Sequence, residues 1–247
     1  MSKINIINYS PNFYSKKRIL RQIKFLVFHY TGMKNETDAI NRLTNIQSEV
    51  STHYLIKTDG KVILMVPDSY IAWHAGISYW GKYKFINKYS IGIEISNPGH
   101  SNNYKKFTNR QIKSIIILAK YLIKKYKIKN TNVVGHSDIA PDRKKDPGEK
   151  FPWKYLSKNK IGIWHNLNLK KLKKERKLKI SNSEKNKFFK NLFKIGYSKK
   201  IIGNLNNFSK LTIAFQRRYR QDLINGKIDK ECLLISENLV KIINKLS

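Results

Sequence analysis

The sequence predicts an α/β domain followed by a small helical module, and three observations carry that expectation. Apolar runs of strand length alternate with helical stretches up to about residue 168, the pattern of an α/β domain. Residues 169–187 are rich in Lys and poor in apolar side chains, and read as an inter-domain linker, helical in part. Residues 188–247 then hold apolar positions at helical spacing in about three short segments, near the lower size limit for independent folding. A chain of 247 residues suits one sizeable core with a smaller companion.

The first element is the strand at 24–30, Lys-Phe-Leu-Val-Phe-His-Tyr. It is apolar almost throughout, as a strand buried on both faces should be. Thr31-Gly32 stops it, and 37–47 fits a short helix with Ala39, Ile40, Leu43 and Ile46 at helical spacing. The apolar runs 53–57 and 61–66 flank Asp59-Gly60, a hairpin signal. Along 91–96 three isoleucines alternate with Gly92, Glu94 and Ser96, so the two sets take opposite faces of a strand. The longest helix spans 108–126, with one apolar stripe and with Thr108 and Gln111 placed as a capping box. A short strand at 131–136 ends on a His. Beyond the linker, the runs 188–195, 201–202 with Leu205, 211–219 and 232–243 supply the helical module.

The net charge is +34, from 50 basic and 16 acidic residues. Of the basic residues 41 are Lys and 9 are Arg, whereas dedicated nucleic-acid readers lean on Arg for bidentate contacts. Lys is spread along the chain beside abundant Ile and Asn, as AT-rich coding produces. The expectation is a solvated basic surface with no specific nucleic-acid site, whose field still favours anionic polymers. The single cysteine, Cys232, excludes an intramolecular disulfide and is expected as a buried thiol. No apolar run approaches the ~20 residues of a membrane span. The stretch 4–7 is broken by Asn5 and makes no secretory h-region. A cytoplasmic monomer is the expectation from these features.

Chemistry points to two histidines. His29 ends the buried strand, where α/β domains build sites, although a lone His there is more often structural. His136 ends a second strand and opens the stretch 135–148, which packs two Pro, two Gly and six charged residues into 14 positions. Two His and one carboxylate with an open fourth position is the pattern of catalytic zinc, and no Cys cluster exists for a closed structural site. On the residues alone Asp138, Asp142 and Asp146 all stand as the third ligand, and the spacing does not choose among them.

Phe-His-Tyr-Thr-Gly at 28–32, Ser-Thr-His-Tyr at 51–54, Ala-Trp-His-Ala-Gly at 72–76 and Ser-Ile-Gly-Ile-Glu-Ile at 90–95 occur in order. The loop at 135–148 and Phe-Pro-Trp at 151–153 follow. Together these six blocks resemble the N-acetylmuramoyl-L-alanine amidase family, type 2. The resemblance implies a mixed central sheet flanked by helices, as in phage amidases and animal peptidoglycan recognition proteins. It implies one zinc ion per chain on His29, His136 and Asp146, with Glu94 as catalytic acid/base and Lys144 as the second catalytic group. The bond cut would join the muramic lactyl group to L-alanine in peptidoglycan or muropeptides. Phage relatives carry Cys at the third ligand, so Asp146 places the chain with the wall-turnover and recycling branch. Asp142 stands where a small residue is usual and is expected to alter the loop turn alone.

Gly92, two positions before Glu94, leaves room for a ligand on that strand face. His53, Trp73 and His74 fall in blocks that border the family's cleft and are expected as substrate-binding or supporting contacts. His100 and His165 have no supporting context. In the C-terminal module Ala214-Phe215-Gln216, then Gly226 and Asp229, resemble the three-helix peptidoglycan-binding domain. A rival reading is a non-catalytic peptidoglycan receptor of the same fold, marked by loss of a metal ligand; all three ligands are present. The missing signal sequence favours cytoplasmic recycling of anhydro-muropeptides, whereas the C-terminal resemblance favours intact wall.

Overall fold

In chain order the strands are β1 (Phe13–Tyr14), β2 (Phe25–Tyr30), β3 (Tyr54–Ile56), β4 (Val62–Leu64), β5 (Ile71–Ala72), β6 (Tyr79–Trp80), β7 (Tyr83–Lys84), β8 (Ser90–Ile95) and β9 (Val133–Gly135). The α-helices are α1 (Glu36–Thr44), α2 (Asn109–Tyr126), α3 (His136–Ile139), α4 (Trp153–Lys158), α5 (Leu169–Glu175), α6 (Asn182–Ile195), α7 (Asn206–Tyr219) and α8 (Lys230–Leu246). This computed structural model describes residues 9–201 and 206–246. The apolar start at 4–7, and Ile202 and Leu205 of the expected helical runs, lie outside the described residues.

The central sheet has the order β4-β3-β8-β2-β9. Strands β3, β8, β2 and β9 run parallel, and β4 closes the edge antiparallel to β3 through the Asp59-Gly60 turn. The sheet is therefore mixed and flanked by helices. Parallel strands need cover on both faces. On one face Leu26, Phe28, Ile91, Ile93 and Ile95 pack with Ile115, Leu118 and Leu122 of α2. The α2 start carries both halves of the Thr108–Gln111 capping box.

The opposite face is covered from two sides. Leu43 of α1 packs on Leu55 and Ile63. Phe25, Val27 and Val134 share one buried cluster with Leu192 of α6, Leu211 and Phe215 of α7, and Leu239 of α8. The helical module thus completes a face of the sheet. Residues 169–187 are helical in part and packed: α5 fills part of the stretch, Leu172 joins that same buried cluster, and α6 begins at Asn182. Arg176 ties the segment down by pairing with Glu231 at 2.6 Å and Asp222 at 3.0 Å. One leucine and one arginine dock a stretch whose composition is otherwise that of a free chain.

A buried ion pair links the module to the sheet. Arg218 of α7 donates to Asp138 of α3 at 2.5 Å and to the Val133 carbonyl at 2.9 Å, and its guanidinium lies 4.2 Å from the Trp153 ring centroid. The Tyr197 hydroxyl donates to the other Asp138 oxygen at 2.9 Å. The Ala-Phe-Gln motif has a folding role. Buried Gln216 accepts from the Asn225 and Gly226 amides at 3.0 and 2.9 Å and donates to the Lys227 carbonyl at 2.8 Å. Asp229 accepts from the Cys232 amide at 3.0 Å, so the motif fastens the turn that leads into α8. Cys232 is buried, as expected.

Candidate metal centre and catalytic cleft

The parallel strands place the chemistry at their C-terminal ends. His29 is the fifth residue of β2, Glu94 the fifth of β8, and the two are register partners. Both share the sheet face of Val27 and Gly92, because side chains alternate along a strand. The strand expected at 131–136 ends at Gly135, and His136 opens α3 instead. Asp138 accepts from the Gly135 amide at 2.7 Å and so fixes the turn that delivers His136.

His29 Nδ1, His136 Nδ1 and Asp146 Oδ2 form a triangle with edges of 2.9, 3.0 and 3.1 Å. All three residues are buried. Ligand bonds of about 2.0 Å in a tetrahedron put donor atoms about 3.3 Å apart, so the triangle is close to the size a zinc-like ion requires. Burial and the neighbouring His136 bring His29 down to about 4, against the pull of Asp146. Burial alone would raise Asp146, but His136 and His29 outweigh it and hold the carboxyl well below its usual range. A neutral His29 ring beside an ionised Asp146 is the protonation state a cation needs. Of the other two candidate carboxylates, Asp138 is taken up by Arg218, Tyr197 and Gly135, and Asp142 is exposed.

A cleft of about 460 Å³ opens over this triangle, lined by His136, Asp146, Glu94, Lys144, Trp73 and His74 among others. Glu94 Oε2 is buried without a hydrogen-bond partner. Burial and the Asp146 charge push the Glu94 carboxyl up to about 8, with Lys144 and Arg42 opposing. A bound cation would bring it back down. A carboxylate poised near neutrality beside a metal triangle is placed for proton transfer.

Among the expected contacts, Trp73 and His74 line the cleft. His53 does not. It is fully buried, accepts from the Gly92 amide at 3.0 Å, and lies 2.8 Å from the Arg18 guanidinium. Its ring centroid lies 5.6 Å from that of His74, the placement of the supporting contact that was one of its two expected roles. Arg143 of the loop at 135–148 and Arg42 of α1 also border the cleft, and no local pattern in the sequence marked Arg42. His100, given no role from the sequence, is there too, bridging the Tyr30 hydroxyl at 2.9 Å and Glu149 at 3.0 Å. Its partners come from distant segments, which hides them from any local motif. His165 lies elsewhere, against α7 and the Trp164 ring.

Residues 20–149 match the family model described as N-acetylmuramoyl-L-alanine amidase. The chain is 35% identical over 232 residues to N-acetylmuramoyl-L-alanine amidase AmiD of Escherichia coli, covering 89% of this chain and 83% of that protein. A solved complex of AmiD with anhydro-N-acetylmuramic acid-L-Ala-D-gamma-Glu-L-Lys superposes with a TM-score of 0.79 at 32% identity, covering 93% of this chain and 92% of the other. The 1,6-anhydro-N-acetylmuramyl-L-alanine amidase AmpD of Escherichia coli is 39% identical over 104 residues, 42% of this chain and 55% of AmpD.

Proposed function

Because the chain belongs to the N-acetylmuramoyl-L-alanine amidase family, we propose that it cleaves the lactyl–L-alanine amide of muropeptides with zinc on His29, His136 and Asp146. The observation that carries this reading is the buried His29–His136–Asp146 triangle with the partnerless Glu94 carboxyl in the same cleft. A zinc ion held there supplies Lewis-acid polarisation of the scissile carbonyl and a water acidic enough to react near neutral pH.

The chain's own groups do the rest. Glu94 accepts the proton of the attacking water and delivers it to the departing L-alanine nitrogen, so water adds across the C–N bond and amine and carboxylate leave. Lys144, which borders the cleft and acts electrostatically on both His29 and Glu94, donates to the oxyanion developing on the lactyl carbonyl. Trp73 offers an apolar surface to sugar or peptide.

The C-terminal helices, residues 188–247, are proposed to bind wall polymer, supported by the motif at 214–216 and 226–229. The ligand crystallised with AmiD supports anhydro-muropeptide as one substrate form. No described helix is long and apolar enough to cross a membrane.

The test is release of L-alanyl peptide from anhydro-muropeptide and from polymeric wall, each with and without a chelator. Release that a chelator abolishes and zinc restores is expected. Protein that carries no zinc and releases nothing from either substrate would end the reading. Preference for the anhydro-muropeptide would fit cytoplasmic recycling, and preference for polymer would fit a wall-associated enzyme.

A further inference from the structure

His29 and His136 can serve as ligands only while their rings present Nδ1, and one short segment governs both rings. His29 Nε2 is 3.0 Å from His74 Nδ1, and His74 Nε2 is 3.0 Å from Ser90 Oγ. The Ser90 hydroxyl donates to the Ile86 carbonyl at 2.7 Å. Its oxygen is therefore left to accept, which places the His74 proton on Nε2 and leaves His74 Nδ1 bare. His29 must then donate from Nε2. His136 Nε2 lies 3.2 Å from the Ala75 carbonyl, a group that only accepts, so the His136 proton is on Nε2 as well. Both ligand rings are left with bare Nδ1 atoms, the two that face Asp146.

The two acceptors belong to adjacent residues; one side chain bonds the backbone of both, and Arg143 Nη2 also donates to the Ala75 carbonyl at 2.7 Å. Asn87 Oδ1 accepts the backbone N–H of His74 at 3.2 Å and of Ala75 at 2.7 Å. Below them the strand yields space. A Cβ on Gly92 would stand 2.4 Å from His74 Cγ, closer than real Cβ contacts allow. The room expected at Gly92 for a ligand is thus filled by the His74 ring, which is why β8 carries glycine there.

We propose that His74-Ala75 is the outer support of the metal centre, holding both histidine ligands in the Nδ1-presenting tautomer, and that Asn87 is its positioning residue. The inference rests on the metal-centre reading above and gives His74 a task distinct from touching substrate. Outer hydrogen bonds to metal-bound histidines are worth about 10–100-fold in metal affinity. Here two ligands draw theirs from one dipeptide, so an error in its placement reaches both.

The test uses the full chain, reading zinc affinity by competition with a chromogenic chelator and the visible spectrum of the cobalt-loaded protein. His74→Leu fills the space without an acceptor, and Asn87→Leu frees the dipeptide. Each is expected to weaken zinc by about 10–100-fold and to change the cobalt spectrum. His74→Asn and Asn87→Asp keep an acceptor oxygen and are expected to stay near wild type. Wild-type protein without tight zinc would sink the metal centre itself. Tight wild-type zinc with equally tight, unchanged leucine variants would overturn this inference alone. If the leucine variants do not fold, Ser90→Ala decides: weaker zinc supports the relay, and unchanged affinity and spectrum overturn it.

Discussion

His29 and Glu94 are register partners on the adjacent parallel strands β2 and β8, pointing from the same face of the sheet. A proposed metal ligand and the proposed proton carrier are thus separated by one strand spacing, fixed by backbone hydrogen bonds instead of a loop. Glu94→Gln keeps shape and removes the proton-accepting charge. It is expected to retain zinc and to lower kcat by about 10²–10⁴. Metal analysis with a peptide-release assay checks it; full activity in the variant would refute the role.

Lys144 lies in the loop at 135–148 and lines the cleft. Lys144→Ala is expected to cost about 10²–10³ in kcat, the usual loss for one oxyanion donor, with little change in KM. A rise in KM alone would instead mark Lys144 as a ground-state contact.

Metal and folding should be linked through His136, which is buried in the triangle. With free zinc at about 1,000 times Kd, the wild-type fold should gain about 4 kcal/mol over the metal-free protein. His136→Ala should abolish that gain. Thermal melts with added zinc and with a chelator measure it, and equal shifts in both proteins would contradict the ligand assignment.

Acid should destabilise the metal-free protein, because three buried histidines must take up protons. Burial holds His29 down to about 4 and His53 to about 3, and places His74 well below its ordinary 6.5. These groups stay neutral when folded and charge when unfolded, so their contribution is present above pH 6.5 and is lost as pH falls toward 4 and below. Each adds a slope of up to about 1.4 kcal/mol per pH unit. Glu94 has the opposite sign: raised to about 8 from 4.5, it takes stability away as pH rises between those values. Metal-free Glu94→Gln should therefore gain on wild type across that interval. Urea midpoints over this range measure both slopes, and a flat profile would contradict neutral burial.

Arg218→Met leaves Asp138 charged and buried. It is expected to cost about 3–5 kcal/mol in urea unfolding, although position 218 lies in the helical module and not in the cleft. A loss under about 1 kcal/mol would mean that the pair behaves as a surface salt bridge.

Much of this was legible because its causes are local. The apolar run at 25–30, the alternation at 90–95 and the Thr108–Gln111 cap each carry their own geometry. The third ligand was not legible from spacing. Asp138, Asp142 and Asp146 look alike in sequence, and only contacts with Arg218 and Tyr197, distant along the chain, remove Asp138 from contention. The same holds for Asn87, whose two bonds reach 12 and 13 residues back. The packing of the partly helical stretch at 169–187 is not legible, because composition averages over Leu172 and Arg176, the two residues that dock it.

The bond from Arg218 to Asp138 spans 80 positions, and it imposes an order on biosynthesis. Every ligand of the proposed zinc site has left the ribosome's active centre before the side chain that braces the His136 turn is made. A nascent chain halted after residue 168 would carry the whole reactive set yet lack its brace, and would lack the Leu192, Leu211, Phe215 and Leu239 share of the cluster around Phe25 and Val27. The last helices are thus the step that closes the enzyme.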